Sequence, residues 1–276
     1  MAFAELVDTS ECSKLTSSRQ VIYLTIRNLT PKEWANGLLS IDSPEKVAAF
    51  VANENLVPWS RTLLSYIEDN ENVLDSGSGT GQHSAFLSRH GRRMTLIDFS
   101  RDNLKFSSKV FKILGSVGHF VLSDMKAHAL PFGDNSFDAV FSVGVLEYFT
   151  DEEINRVLLE FLRISNKKII LMVPNAFSIA YRIGRSYSKA TRRWAWGSER
   201  PFNSLRAYFR TSENVRITEF TVGTRQALDF LPFFGGMTKQ AFAILLRIGN
   251  NPTPSRFRQG FILVTLVEKH PLIEEE

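Results

Sequence analysis

Apolar positions in the middle of this chain alternate between two periods. Short, nearly unbroken apolar runs stand at residues 73–74, 94–97, 120–122, 139–143 and 169–173, as expected of strands buried on both faces of a parallel sheet. Between them, apolar residues recur at helical spacing: around Ala85-Phe86-Leu87, across residues 101–114, and at Ile154, Val157, Leu158, Phe161 and Leu162. The last of these stretches opens with Thr150-Asp151-Glu152-Glu153, a threonine followed three residues later by a glutamate, which is a capping-box start. Strands alternating with helices predict an α/β domain with a mostly parallel sheet. Residues 215–222 alternate apolar and polar as a further strand, and 260–267 read as the final one, with an insertion around 230–247 between them. Upstream, Thr30-Pro31-Lys32-Glu33 and Ser43-Pro44-Glu45-Lys46 each look like a helix start, and Trp59, Leu63, Leu64 and Ile67 mark a third helix. The expected organisation is a helical cover over 1–70, a sheet domain over 71–270 and a short acidic tail, 271–276.

Composition changes this picture little. Of 276 residues, 43% are hydrophobic and 22% charged, ordinary for a globular chain able to bury a sizeable core. The single cysteine, Cys12, excludes an intramolecular disulfide framework and a cysteine-based zinc site, and no metal constellation stands out. A reducing, cytoplasmic setting is expected. No apolar run approaches the roughly 18 residues that a membrane span needs, and the N-terminus lacks the basic-then-apolar order of a signal peptide. Charge matters more in its distribution than in its sum of +4: residues 182–210 carry eight Lys/Arg against one acid, Glu199. Within that block, Tyr187, Trp194 and Trp196 are interleaved with Arg185, Lys189, Arg192 and Arg193.

The candidate chemistry begins at V-L-D-S-G-S-G-T-G, residues 73–81, where a short strand ends in Asp75 and runs into glycines at every second position. A dinucleotide-binding loop needs G-x-G-x-x-G. Counted from Gly77 and Gly79, the third glycine's place is held by Gln82, so that fingerprint fails. The second strand ends at Asp98, 21 residues after Gly77, near the roughly 20 expected for an acid that accepts from ribose hydroxyls. Ser100 is the better cap for the next helix, which would leave Asp98 free. After the third strand comes D-M-K-A-H-A-L-P-F-G-D-N-S-F-D-A-V, residues 124–140.

The D-x-G-x-G-x-G loop, Asp98, Asp124 and the LPF…SFD string together resemble the class I S-adenosylmethionine (SAM) methyltransferases over about seventy residues. The resemblance implies a Rossmann-like seven-stranded sheet of order 3-2-1-4-5-7-6, with SAM as cofactor and S-adenosylhomocysteine as product. It places Asp75, Gly77, Ser78, Gly79 and Gly81, Asp98 with Phe99 and Ser100, Asp124, Met125 and Val143 around the cofactor. Asp124 would accept from the adenine amine, Met125 would pack on the ring, and main-chain groups near Val143 would meet the SAM amino group. Asp138 matches the family in a structural role, orienting the start of a strand.

Glu147 and Tyr148 would face the acceptor and are the catalytic candidates. Many relatives carry a histidine near this position and this chain has none. Tyr23, Asn175, Trp194 and Trp196 are the substrate-side candidates, with a simple turn as the competing reading of Asn175. The basic block, 176–212, reads as a solvated lid, a site for an anionic acceptor or acidic partner, an RNA-binding surface, or a peripheral membrane contact. The expected reaction is methyl transfer to oxygen or carbon of a small or lipid-like acceptor. An RNA methyltransferase and a SAM-binding regulator without turnover are the alternatives.

Overall fold

The protein was analysed as a computed structural model that describes residues 43–54, 57–194, 197–210, 212, 215–231 and 259–269. The expected helix start at Thr30, the insertion helix near 240–247, the acidic tail, and the candidates Tyr23 and Trp196 lie outside these residues.

Two helices, α1 (Pro44–Ala52) and α2 (Pro58–Tyr66), precede the sheet. The first half of the sheet domain follows as β1 (Asn72–Ser76), α3 (Gln82–Arg89), β2 (Arg93–Asp98), α4 (Arg101–Ile113) and β3 (Gly118–Leu122). The second half is β4 (Phe137–Val143), α5 (Asp151–Ile164), β5 (Ser165–Pro174), α6 (Ile179–Ala190), β6 (Val215–Val222), α7 (Thr224–Leu228) and β7 (Ile262–Lys269). Short 3-10 turns occur at Leu146–Tyr148 and Arg206–Phe209.

All seven strands form one sheet in the order β3-β2-β1-β4-β5-β7-β6. Pairings among β1 to β5 are parallel, and β7 runs antiparallel between β5 and β6. The chain progresses outward from β1 in one direction and from β4 in the other. The β1/β4 boundary is therefore the switch point, where such sheets open a crevice beyond their carboxyl ends.

Both faces of the sheet are covered, which accounts for the unbroken apolar runs. Val73, Met94, Leu96, Ala139, Phe141, Ile170 and Met172 join α1, α3 and α4 in one core. Their neighbours Leu74, Ile97, Val140, Ile169 and Leu171 join α5 in the other. The predicted caps form. The Ser43 hydroxyl accepts from Lys46 N at 3.3 Å. Thr150 and Glu153 satisfy each other's backbone N–H groups in a complete capping box. At the amino ends of the strands, Asp138 accepts from Asn72 N at 2.9 Å and pairs with Lys167 at 3.2 Å, the strand-orienting role expected of it.

The basic block is folded into the domain. Phe202 pairs with Asn175 in an isolated bridge beyond β5, and Tyr181, Trp194, Phe202, Leu205 and Phe209 are buried.

Candidate active site

Strand register brings the site residues to one edge. Asp75 lies level with Leu96 on β2 and with Phe141 on β4. Two residues further along each strand stand Gly77, Asp98 and Val143, at the carboxyl edge around the switch point. The turn between β1 and α3 is left-handed at all three of its glycines, with φ of +79° at Gly77, +53° at Gly79 and +70° at Gly81. A Cβ on Gly77 would lie 2.7 Å from Val145 Cγ2, and one on Gly81 2.8 Å from the Ser107 side chain. The loop is thus closely packed under the segment after β4 and against α4, and only glycine fits at these two points.

Four amides of this loop are already used. Gly77 N and Ser78 N both donate to Ile97 O, at 3.0 and 3.1 Å, and Gly81 N donates to Ser78 O at 2.9 Å. Gly79 N donates to Asp98 Oδ2 at 2.9 Å. A phosphate cradle needs such N–H groups pointing at the ligand, whereas here four of them tie the loop to itself and to the end of β2.

Asp98 differs from the expectation in one respect. Ser100 does cap α4, its hydroxyl accepting from Asn103 N at 3.3 Å, but Asp98 is not left free. Its carboxylate accepts from Gly79 N, from Ser100 N at 2.8 Å and from the Asn103 amide at 3.1 Å. Two carboxylate oxygens offer about four lone-pair positions, so room for a further donor remains. Sequence reasoning weighed only the cap, not the backbone N–H that a glycine loop brings in from 19 residues upstream.

The edge is acidic. Burial raises the pKa of Asp98 against these three bonds, and the Asp124 charge adds to the rise. Burial pushes Asp75 up to about 7, opposed by the Ser84 hydroxyl, which donates to it at 2.6 Å, and reinforced by Asp98. Phe99 is half-buried, Ser100 and Met125 are buried, and Asp124 is exposed with one oxygen accepting from Lys126 N at 2.9 Å. Buried polar atoms without a partner include the hydroxyls of Ser76 and Ser78. These residues suit a ligand with cationic and hydrogen-bonding groups better than one with a pyrophosphate.

The candidates Glu147 and Tyr148 are buried in the turn after β4. Glu147 Oε2 has no hydrogen-bond partner among the described residues. Burial raises its pKa well above the usual carboxylate range, its own backbone N–H opposes this, and the Glu199 charge adds to it. Burial likewise raises the Tyr148 phenol, with the charges of Glu147 and Glu199 adding to the effect.

Glu199 had no place in the sequence reading beyond being the one acid of the basic block. It is 5% exposed, receives the Tyr181 hydroxyl, and lies 3.6 Å from Arg185 Nε. The next residue, Arg200, donates its backbone N–H to Glu147 O at 2.9 Å. Only an acid flanked by arginines hinted at this arrangement. His83 was also missed. It bonds the Ser60 hydroxyl at 2.8 Å, and burial lowers its pKa to about 4.

Of the substrate candidates, Trp194 is buried against Tyr181 and Phe230, with ring centroids 6.1 Å away in each case. Its indole N–H has no partner among the described residues, and Arg185 lies over its ring at 5.8 Å. Asn175 is fully buried, and its amide is engaged by backbone: it donates to Gly260 O at 2.7 Å and accepts from Phe177 N at 2.9 Å. This is the geometry of the competing turn reading.

Residues 73–168 match the protein family described as "methyltransferase domain", the same stretch that supplies the glycine loop, Asp98, Asp124 and Glu147. That stretch reads as a methyltransferase domain of the class I SAM-dependent type. SAM is the cofactor that goes with that family. A ubiquinone/menaquinone biosynthesis C-methyltransferase (UbiE) of Klebsiella pneumoniae is 33% identical over 100 residues, which are 34% of this chain and 40% of that protein. A demethylmenaquinone methyltransferase of Thermotoga maritima is 32% identical over 140 residues, 48% of this chain and 58% of the relative. The chain thus spans about 40–58% of the length of these curated relatives. Among solved structures, a SAM-dependent methyltransferase from Archaeoglobus fulgidus is 16% identical, with a TM-score of 0.52 covering 82% of this chain and 95% of that one. The YcgJ protein of Bacillus is 14% identical, with a TM-score of 0.51 over 77% and 98%. These structures share the fold.

Proposed function

We propose that the protein transfers the methyl group of SAM to a small, lipid-like acceptor, with an aromatic quinol methylated at carbon as the leading candidate. The observation that carries the reading is the acidic carboxyl edge beside a glycine loop whose amides are engaged within the protein. Such an edge favours a cationic cofactor and disfavours a dinucleotide. The aromatic acceptor class comes from the quinone-pathway names of the partial relatives.

When bound, SAM supplies an electrophilic methyl group on a sulfonium. The residues that would hold it are the loop from Gly77 to Gly81 with Ser78, Asp98 toward the ribose, Asp124 and Met125 toward the adenine, and the main chain at Val143. The protein's own part is to position the acceptor and to manage a proton. Glu147, with one oxygen unpartnered among the described residues and its pKa raised by burial, is when ionised a stronger base than an ordinary carboxylate, which suits general-base catalysis. It would take the proton that the acceptor loses. Tyr148 keeps its proton and can only donate a hydrogen bond or accept through its oxygen. Trp194 offers an indole donor that is unpaired among the described residues.

The test is methyl transfer from labelled SAM to a short-chain demethylated quinol, read by mass spectrometry. The rate should rise with pH through a raised carboxylate pKa. Glu147→Gln should lower it by about 10²–10⁴-fold and flatten the pH profile while SAM affinity holds. A variant as active as the parent would remove Glu147 from the chemistry. Absence of transfer to quinols, with SAM still bound, would remove the acceptor class.

A further inference from the structure

Helix α6 presents two outward features that the proposed reaction does not use. The first is an apolar edge: Ile179 and Ile183, one turn apart, are 59% and 48% exposed, and Phe177 just before the helix is 47% exposed. The opposite side is pinned into the domain. Tyr181 and Gly184 are buried there, and a Cβ on Gly184 would lie 2.1 Å from Phe230 O. The helix cannot roll to hide its apolar edge. The second feature is a cleft of about 420 Å³ along the neighbouring flank, lined by Arg182, Arg185, Ser186, Ala176, Pro201 and Asn203.

Charge narrows the choice of partner. Residues 182–210 hold eight basic side chains and one acid, and that acid, Glu199, is buried on the inner side against Tyr181 and Arg185. Arg185 is therefore partly neutralised, while Arg182 and Lys189 face outward on an exposed helix flank. The outer surface of the block is positive next to exposed aliphatic groups. A second copy of the chain would bring like charges together. Nucleic acid would leave the isoleucines unexplained, because aliphatic side chains give bases no stacking face. A helix with an apolar edge and a basic flank fits the boundary of an anionic bilayer.

We propose that α6 docks the protein on an anionic lipid surface, its Ile179–Ile183 edge entering the acyl boundary and a lipid phosphate seated in the cleft at Arg182 and Arg185. Among the described residues no helix is long and apolar enough to cross a membrane, so the contact lies in the plane of the surface. The inner side of the same helix holds Glu199, whose charge acts on Glu147.

The experiment is co-sedimentation of the full chain, without SAM or acceptor, with vesicles of phosphatidylcholine alone or with added phosphatidylglycerol. It reads binding and not turnover, so its failure would leave the methyl-transfer reading untouched. The expected result is binding to the anionic vesicles that weakens with salt. Ile179→Glu/Ile183→Glu should lower partitioning by about tenfold or more at an unchanged melting temperature, and Arg182→Ala should lower both binding and its salt dependence. Ile179→Ser serves as the milder variant if the double change unfolds the chain. The proposal is overturned if the protein stays in the supernatant, or if the folded variants bind as well as the parent. It is also overturned if inorganic phosphate alone displaces the protein, marking a site for free phosphate. Sedimentation velocity showing a dimer that the same substitutions split, or filter retention of RNA lost in the same variants, would assign the face to those partners instead.

Discussion

At the scale of single residues, the site is built from carboxylates held at a cost. Asp75 lies in the core beneath the glycine loop, where the Ser84 hydroxyl donates to it. Unfolded, it ionises near 3.8, whereas in the fold its proton is retained to about 7. Between those values the native state binds the extra proton, so this group's contribution to stability falls as pH rises through that window and is level above it. Asp75→Asn keeps an acceptor for Ser84 and removes the ionisation. Denaturant unfolding at pH 4.5 and pH 8 should show the variant gaining on the parent at the higher pH, by about 2–4 kcal/mol. Equal pH dependence in the two proteins would mean that Asp75 is hydrated in solution. His83 works in the opposite direction: its pKa is depressed to about 4, so its contribution is present above about 6.5 and is lost as pH falls toward 4.

At the scale of elements, the β1–α3 turn depends on what lies above it. An alanine at Gly77 faces two separate penalties, a left-handed φ of +79° and a contact of 2.7 Å with Val145 Cγ2. The first costs about 1–2 kcal/mol, and the second depends on how far the segment after β4 can yield. Gly77→Ala should therefore destabilise by more than the conformational cost, and adding Val145→Ala should recover the excess and no more. Thermal melts of the two variants and of Val145→Ala alone separate the terms. Full additivity would show that the loop and the Glu147 segment are not in contact. Because that segment carries the proposed base, the same contact couples it to the cofactor loop.

At the scale of the whole molecule, the small net charge of +4 hides a separation. Asp98, Asp124 and Glu147 stand at or just beyond the carboxyl ends of β2, β3 and β4, above the buried Asp75, while the outer flank of α6 is basic. Opposite fields on two surfaces favour a cationic cofactor at one and an anionic partner at the other. Calorimetric titration should show binding of SAM and of S-adenosylhomocysteine and none of NAD, whose pyrophosphate would meet carboxylates and an amide-poor loop. Binding of NAD alone would overturn the cofactor assignment.

Much of this was legible in the chain itself. The core strands are buried on both faces, so each announces itself as an apolar run, and β6 spans the residues whose alternation predicted it. The loop, Asp98, Asp124 and Glu147 follow strand ends, which makes them visible wherever the strands are. The position of β7 between β5 and β6 came only from family resemblance, because pairing order is not a local property. Periodicity was equally silent on which side chains are already engaged. Asp98 is bound by a loop 19 residues upstream, Asn175 spends its amide on Gly260 O, and Glu199 is folded inward from a block that read as a solvated lid or a binding surface. Local pattern follows from the need to bury apolar surface and satisfy the backbone within each element. Which charge meets which is decided when distant segments cross, and only the tertiary structure records that.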